Sequence, residues 1–164
     1  LTDIAHAIEI ATSTYKPQPG IEAVIDEISA QNIPLHFASN IGPRMFDVLN
    51  TKFKTTYQSS LLDKIALGKF VDYSQWGLNP LDKNALPTHL ASKGKPTQTF
   101  YQEFLATYVG ATGKKFAVFI DDTLDNVTAA ARAGMIAIHF DATKPNAHAI
   151  AELRNDLSEL SILK

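Results

Sequence analysis

The sequence predicts an α/β protein in which a mostly parallel sheet lies between two layers of helices. Short apolar segments with strand character, at residues 33–40, 116–120 and 135–140, alternate with longer segments whose apolar residues recur at helical spacing. A strict succession of strand and helix is typical of parallel sheets covered on both faces. Small polar and acidic residues directly follow these apolar runs, and α/β sheets bind their ligands at that end of the strands.

The first part of the chain predicts a helix, a strand and a second helix. The segment "IEAVIDEISAQN" carries apolar residues at positions i, i+3, i+4 and i+7, which are Ile21, Val24, Ile25 and Ile28. The segment "IPLHFASN" follows as a strand, and "GPRMFDVLNTKF" follows as a helix with Pro43 in its first turn. Upstream of these elements, Thr2 is expected to cap a helix that extends to about Thr12.

The middle of the chain is less regular. We expect a helix in "YQSSLLDKIAL" (57–67) and a strand in "KFVDYSQW" (69–76). Residues 77–94 have the Gly, Pro and Asn content of a long irregular loop. Loops of this length in compact domains are often functional or mobile.

The last part of the chain repeats the alternation of helix and strand. A helix is expected after Pro96, and its apolar side carries Phe100, Phe104, Leu105 and Tyr108. The strand "FAVFI" is followed by an Ala-rich helix that Gly134 ends, and then by the strand "MIAIHF". Asn146 is expected to cap a final helix, whose apolar residues are Ile150, Leu153, Leu157 and Leu160.

Composition excludes several classes of function. The chain has 164 residues, of which 45% are apolar and 20% are charged, as in ordinary globular domains. Its net charge of -2 gives no reason to expect nucleic acid or an anionic membrane as a partner. It contains no cysteine, so disulfides and thiolate metal sites are excluded, and no apolar run could span a bilayer. We therefore expect a cytoplasmic protein.

Three polar features together indicate phosphoryl chemistry. The adjacent carboxylates of Asp121 and Asp122 repel each other and offer the hard oxygen ligands that suit Mg²⁺. Ser39 offers a hydroxyl at a strand end, in front of the backbone N–H groups of a helix start. Lys95 offers a point charge that could neutralise a phosphoryl oxygen or the carboxylates. A cation, an oxyanion cradle and a lysine are what phosphoryl transfer requires.

Each of these features alone also has a purely structural interpretation. The acidic pair could be turn and helix-cap chemistry, and Ser39 could cap the helix that follows it. Lys95 alone would be a solvated lysine before a helix. His36 and His139 lie in apolar strands with no further ligand at metal-binding spacing, so we interpret both as core residues.

The order of these residues along the chain resembles that of the haloacid dehalogenase (HAD) superfamily, whose members are aspartate-nucleophile hydrolases. "IPLHFASN" looks like its second motif, an apolar strand that ends in Ser or Thr, and "GKPTQTFYQEF" looks like its third, in which a Lys-Pro pair opens a helix. "FAVFIDDTLDNVTAAARAGMIAIHF" resembles its fourth motif. The resemblance covers residues 17–145. Receiver domains combine similar residues, but their acidic pair comes first in the chain, so they are excluded.

The resemblance implies a Rossmann-like three-layer α/β/α core and a phosphate-binding role for three residues. Ser39 would bind the transferred phosphoryl oxygens together with Asn40. Lys95 would steady the nucleophile and the charge of the phosphate. Ser39 and Lys95 would thus act in catalysis as well as in binding.

The resemblance also implies a Mg²⁺ site at the fourth motif. Asp122 would be the direct ligand of the metal. Asp121 would be either a second ligand or a supporting hydrogen-bond acceptor. Asn126 stands where many relatives have a further Asp, and it would orient a metal-bound water.

The first motif of the family, Asp-x-Asp after an apolar strand, occurs nowhere in this sequence. Its first Asp is the nucleophile and its second the general acid/base. In the family this strand lies at the sheet centre, between those that here end at Ser39 and Asp121. The chain starts at Leu1 rather than Met, so we expect a longer protein that carries this motif upstream. Residues 1–16 would then be the remnant of a helical cap or inserted segment, and 17–164 the core domain.

The leading hypothesis is a Mg²⁺-dependent phosphatase that acts on a small phosphorylated metabolite through an aspartyl-phosphate. Three alternatives stay open. The protein could be a catalytically silent binding or scaffold protein of the same fold, or a split enzyme whose nucleophile strand belongs to a second chain. It could also be a metal-independent hydrolase of the haloacid dehalogenase type.

Overall fold

The computed structural model describes four stretches of the chain, which are residues 15–41, 43–70, 94–109 and 116–164. The side chains of residues 43, 44, 66–70 and 108 are not part of this description. Three predicted features lie wholly or mostly outside the described residues: the helix expected near Thr2, residues 71–76 of the strand expected over 69–76, and nearly all of the 77–94 loop.

The chain divides into two compact units, Leu1–Thr88 and His89–Lys164, and each is described by itself. The boundary predicted after residue 16 stays a prediction.

The first unit is built on a parallel β-α-β arrangement. Its elements in chain order are α1 (Ile21–Ala30), β1 (His36–Ser39), α2 (Pro43–Tyr57), a 3₁₀ turn (Leu61–Lys64) and β2 (Ala66–Phe70). β1 and β2 pair in parallel, with Ser39 opposite Phe70. The connection between them contains the helix α2 and the 3₁₀ turn, and parallel pairing requires a long crossover of this kind.

The core of the first unit lies between α1, α2 and the 3₁₀ turn. Its buried side chains are Phe46, Leu49, Phe53, Leu61 and Leu62. Val24 and Ile28 of α1 are also buried, while Ile21 and Ile25 pack against the core from the same helix. The amphipathic helix predicted from these four residues is therefore confirmed.

The second unit contains another parallel β-α-β arrangement. Its elements are α3 (Gln98–Phe104), a π-helical turn (Leu105–Val109), β3 (Val118–Asp121), α4 (Leu124–Arg132), β4 (Ile136–His139) and α5 (Asn146–Glu159). β3 and β4 pair in parallel and in regular register, and their last residues, Asp121 and His139, lie opposite each other.

α4 is a short, Ala-rich helix with one side buried in the second unit. Ala130 is completely buried, and Val127 is nearly so. The helix ends at Arg132, and Gly134, two residues later, stops it as predicted and has a φ of 99°. That backbone conformation is readily accessible only to glycine, so the chain can turn here and enter β4.

The α/β class and the parallel pairing are confirmed, and two local predictions are wrong. Of the helix predicted over 57–67, only Tyr57, which ends α2, and the 3₁₀ turn Leu61–Lys64 are helical, because the chain from Ala66 onward pairs with β1 instead. Short helices are marginal in water, so strand pairing prevails there. Asn146 is the first residue of α5, and Pro145 occupies the cap position, where its extended ψ of 130° is the conformation a cap requires.

The described strands form two separate two-stranded sheets, β1–β2 and β3–β4. The three-layer arrangement expected from the HAD resemblance therefore stays a proposal. Among the described residues, no helix has both the length and the apolar character needed to cross a membrane.

Candidate functional site

The carboxyl end of β3 carries the carboxylate around which the candidate site is built. β3 ends at Asp121, and α4 begins three residues later at Leu124. Oδ1 of Asp121 accepts a hydrogen bond of 2.9 Å from the backbone N–H of Thr123. This bond satisfies a backbone donor at the start of the helix, and it holds the carboxylate at the end of the strand.

Two side chains from other parts of the second unit converge on Asp121. Nζ of Lys95, just before α3, lies 2.6 Å from Oδ2 of Asp121. Nδ2 of Asn126 donates to Oδ1 over 2.8 Å from the first turn of α4. The side chains of Lys95 and Asp121 are only 12% and 9% exposed, so this ion pair is largely shielded from water. Both oxygens of Asp121 are therefore engaged.

An aromatic cluster lies beneath this ion pair. Nζ of Lys95 is 5.5 Å from the ring centroid of Phe119, within the range of a cation–π interaction. The Phe119 ring packs edge-to-face against Tyr101 at 5.2 Å, and Phe100 packs against Tyr101 at 5.3 Å. The charged group at the top of the site is thus supported by the apolar core of the second unit.

The charges of the site shift the pKa values of two acids. Burial alone would raise the pKa of Asp121, but the hydrogen bonds from Lys95 and Asn126 outweigh it, so the pKa is lowered from its usual 3.8. Burial and the charge of Asp121 raise the pKa of Tyr101 well above its usual range. Its buried hydroxyl has no hydrogen-bond partner in the described part of the chain, and it stays protonated.

The lowered pKa of Asp121 predicts a contribution to stability that acid removes. A carboxyl group whose folded-state pKa is depressed stabilises the protein fully above its unfolded value of 3.8. That contribution is lost as the pH falls through the lower folded value. We expect the Asp121 carboxyl ¹³C resonance, followed by NMR, to titrate below 3.8. In Asn126→Ala the midpoint should rise, because a donor to the charged form is removed. A midpoint at or above 3.8 in the native protein would contradict the prediction.

Asp122 differs from its neighbour in being exposed. Its Oδ1 lies 3.4 Å from the hydroxyl of Thr123, which is a long and weak hydrogen bond. Its backbone carbonyl oxygen lies 3.1 Å from Nε2 of His139. The two carboxylates of the acidic pair therefore face different surroundings, one closed by an ion pair and one open to solvent.

A Mg²⁺ ion at this strand end would have few protein ligands among the described residues. Asp121 already accepts three hydrogen bonds, which leaves it little capacity for a metal. Asp122 offers an exposed hard oxygen pair. No group of three or more His, Asp or Glu within the described stretches is arranged to hold a metal ion. Mg²⁺ sites often use one or two carboxylates, with water and phosphate oxygens completing the shell, and Asp122 suits that mode.

The remaining predicted site residues, Ser39 and Asn40, belong to the first unit. Ser39 is the last residue of β1 and partly buried, and its Oγ accepts a hydrogen bond of 3.3 Å from the backbone N–H of Ile41. Asn40 follows it and is exposed. Of the predicted site residues, the structure brings Lys95, Asp121 and Asn126 into contact in the second unit.

Four contributors to the site were not identified as such from the sequence. These are Thr123, Phe119, Tyr101 and His139. The prediction of His139 as a core residue is wrong, because it is the last residue of β4 and its side chain is exposed. His36, the first residue of β1, is partly buried. A polar residue at the end of an apolar strand, as at Ser39 and Asp121, was the signal that could have identified His139.

Comparison with known proteins does not assign the chain to a family. The candidate site is therefore defined by its contacts alone, which are those of Lys95, Asp121, Asp122 and His139. No protein-family model matches the sequence, and no curated protein or solved structure does so either.

Proposed function

We propose that this chain carries the Mg²⁺-binding and phosphate-binding part of a HAD-like phosphatase acting on a small phosphorylated metabolite. The observation that carries the proposal is the shielded ion pair between Lys95 and Asp121 at the carboxyl end of β3, beside the exposed carboxylate of Asp122. A fixed cation and an exposed carboxylate at one strand end suit the positioning and charge stabilisation on which phosphoryl transfer depends.

The two carboxylates have different tasks in this proposal. Asp121 holds Lys95 through Oδ2 and is itself oriented by Asn126 and by the N–H of Thr123. Its lowered pKa keeps it charged, so that the Lys95 ammonium is fixed in place. Asp122 is the residue that binds Mg²⁺. The bound ion would stabilise negative charge on the phosphoryl oxygens.

Ser39 and Asn40 are the phosphate-binding residues of the first unit in this proposal. Support comes from the position of Ser39 at the carboxyl end of a parallel strand, the end at which α/β proteins bind ligands. Its hydroxyl accepts from the N–H of Ile41, which leaves the hydroxyl proton available for a phosphoryl oxygen.

The nucleophile in this proposal is an aspartate outside these 164 residues, because the sequence contains no Asp-x-Asp. The chain by itself should therefore bind Mg²⁺ and inorganic phosphate without hydrolysing a phosphate ester. Turnover should require the Asp-x-Asp segment, supplied by a longer form of the protein or by a second chain.

The proposal is tested by isothermal titration of the chain with Mg²⁺, with and without inorganic phosphate. We expect Asp122→Asn to weaken Mg²⁺ binding at least tenfold, because an anionic ligand becomes neutral. Asp125→Asn is the matched control, since it removes an exposed carboxylate three residues away in the first turn of α4. Equal affinity of the native chain and Asp122→Asn for Mg²⁺ would refute the metal role of Asp122.

A metal-independent hydrolase is the second candidate, and one observation favours it. Lys95 already neutralises Asp121, so the site does not need a metal to hold that carboxylate in the folded chain. A longer form that cleaves a carbon–halogen bond in the presence of EDTA would establish this candidate. A longer form that binds Mg²⁺ and phosphate but lacks all turnover would instead indicate a silent binding protein.

A further inference from the structure

The peptide group that joins Asp122 to Thr123 is held from both sides. Its carbonyl oxygen lies 3.1 Å from Nε2 of His139. Its N–H donates to Oδ1 of Asp121 over 2.9 Å. A peptide group is planar, so fixing both its carbonyl and its N–H fixes the orientation of the whole plane. The backbone of Asp122 is thereby fixed on the C-terminal side of its Cα atom.

The chemistry of the two atoms defines the direction of the His139 contact. A carbonyl oxygen can only accept a hydrogen bond, so Nε2 of His139 must carry the proton and donate it. The neutral imidazole with its proton on Nε2 can make this bond, and so can the imidazolium.

The strand register explains why His139 reaches this carbonyl. His139 is the last residue of β4 and lies opposite Asp121, the last residue of β3. The following N–H, that of Phe140, donates to the carbonyl of Asp121 over 2.9 Å. The backbone ladder between β3 and β4 thus ends at the carbonyl of Asp121, and the His139 side chain adds one more hydrogen bond, to the next carbonyl, that of Asp122.

We infer that His139 is a positioning residue for Asp122 and so sets the Mg²⁺ affinity of the site, an inference that rests on the proposed function. Asp122 is exposed, and among the described residues its carboxylate has only the weak contact with Thr123. The direction in which the Asp122 carboxylate points therefore depends on the orientation of the Asp122 backbone. Lys95 and Asn126 fix Asp121, Asp121 fixes the N–H of the peptide group, and His139 fixes the carbonyl.

The direction of the effect separates positioning from simple electrostatics. If His139 acted only as a nearby positive charge, its removal would strengthen the binding of Mg²⁺. If it positions Asp122, its removal weakens that binding, because the carboxylate must be ordered again when the metal binds.

The test is Mg²⁺ titration of the full 164-residue chain carrying His139→Leu, His139→Gln or the control His148→Leu. We expect the Kd for Mg²⁺ to rise three- to tenfold in His139→Leu. In His139→Gln it should stay within twofold of the native value, because the glutamine amide can donate to the same carbonyl. His148 is an exposed histidine of the same unit, so its replacement should leave the Kd unchanged.

The amide resonance of Thr123 gives a second readout that does not require metal. It belongs to the clamped peptide group, so it should shift in His139→Leu and return toward its native position in His139→Gln. An unchanged or lower Kd in His139→Leu overturns the inference, whether or not the Thr123 resonance moves. A native chain that does not bind Mg²⁺ refutes the proposed function itself, and the inference about metal affinity with it.

Discussion

Replacing Lys95 with methionine is expected to lower the free energy of unfolding by about 3–5 kcal/mol near neutral pH. The substitution keeps most of the side-chain volume but removes the ammonium that lies 2.6 Å from Asp121. The Asp121 carboxylate, only 9% exposed, would then keep two hydrogen bonds and no counter-charge from the part of the chain that the structure describes. A buried charge without its partner is costly, so chemical denaturation followed by circular dichroism should detect the loss.

The second unit contains a matched control for this experiment. Lys144 and Glu152 also form an ion pair of 2.6 Å, but their side chains are 38% and 43% exposed. Solvent screens such a pair, so Lys144→Met should have a much smaller effect than Lys95→Met. Equal losses in the two variants would mean that burial does not determine the strength of the Lys95–Asp121 pair.

The double variant Lys95→Met with Asp121→Asn separates the cost of an unpaired charge from the strength of the pair. It leaves neither charge behind, so we expect it to be more stable than Lys95→Met alone. A double variant that is no more stable than Lys95→Met would contradict this explanation.

The sequence predicted best those elements whose apolar residues follow one period. The spacing of Ile21, Val24, Ile25 and Ile28 predicted α1, and Gly134 predicted where α4 ends. In these segments local propensity and tertiary packing favour the same structure. The position of Asp121 at a strand end followed from the same reasoning, because its acidic side chain directly follows an apolar run.

Prediction from the sequence was wrong where tertiary contacts decide which structure a segment adopts. Residues 57–67 have apolar residues that suit a helix, but pairing with β1 begins at Ala66 and draws the chain into a strand. Phe100 and Tyr101 are adjacent in α3 and both completely buried, which a helix with a single apolar face does not predict. The core therefore covers two sides of α3, and Tyr101 was missing from its predicted apolar side.

Contacts between distant residues could be predicted only in part. The HAD resemblance suggested that Lys95 and the acidic pair act together, but periodicity gave no indication of it. The bond from His139 to the carbonyl of Asp122 depends on the register of β3 and β4. Register is set by the pairing of two strands, and a single strand sequence does not specify it.

Replacing Phe119 with alanine is the second large effect that we expect, again about 3–5 kcal/mol of unfolding free energy. Phe119 is nearly buried, packs against Tyr101 and lies under the ammonium of Lys95. Its removal leaves a cavity and takes away the support of the ion pair. Chemical denaturation measures the loss of stability, and the titration of Asp121 by NMR measures the effect on the site.

Two further variants show whether packing or the aromatic ring holds the site together. Phe119→Leu keeps most of the apolar volume but removes the ring face below Lys95, so it should lose less stability than Phe119→Ala. Leu157→Ala truncates a buried residue of α5 and should lower stability while leaving the titration of Asp121 unchanged. If Phe119→Ala also left that titration unchanged, the aromatic cluster would stabilise the unit without positioning its charges. If the titration midpoint of Asp121 rises in both Phe119 variants, the aromatic ring itself holds Lys95 against Asp121, because the ring is the feature that both variants lack.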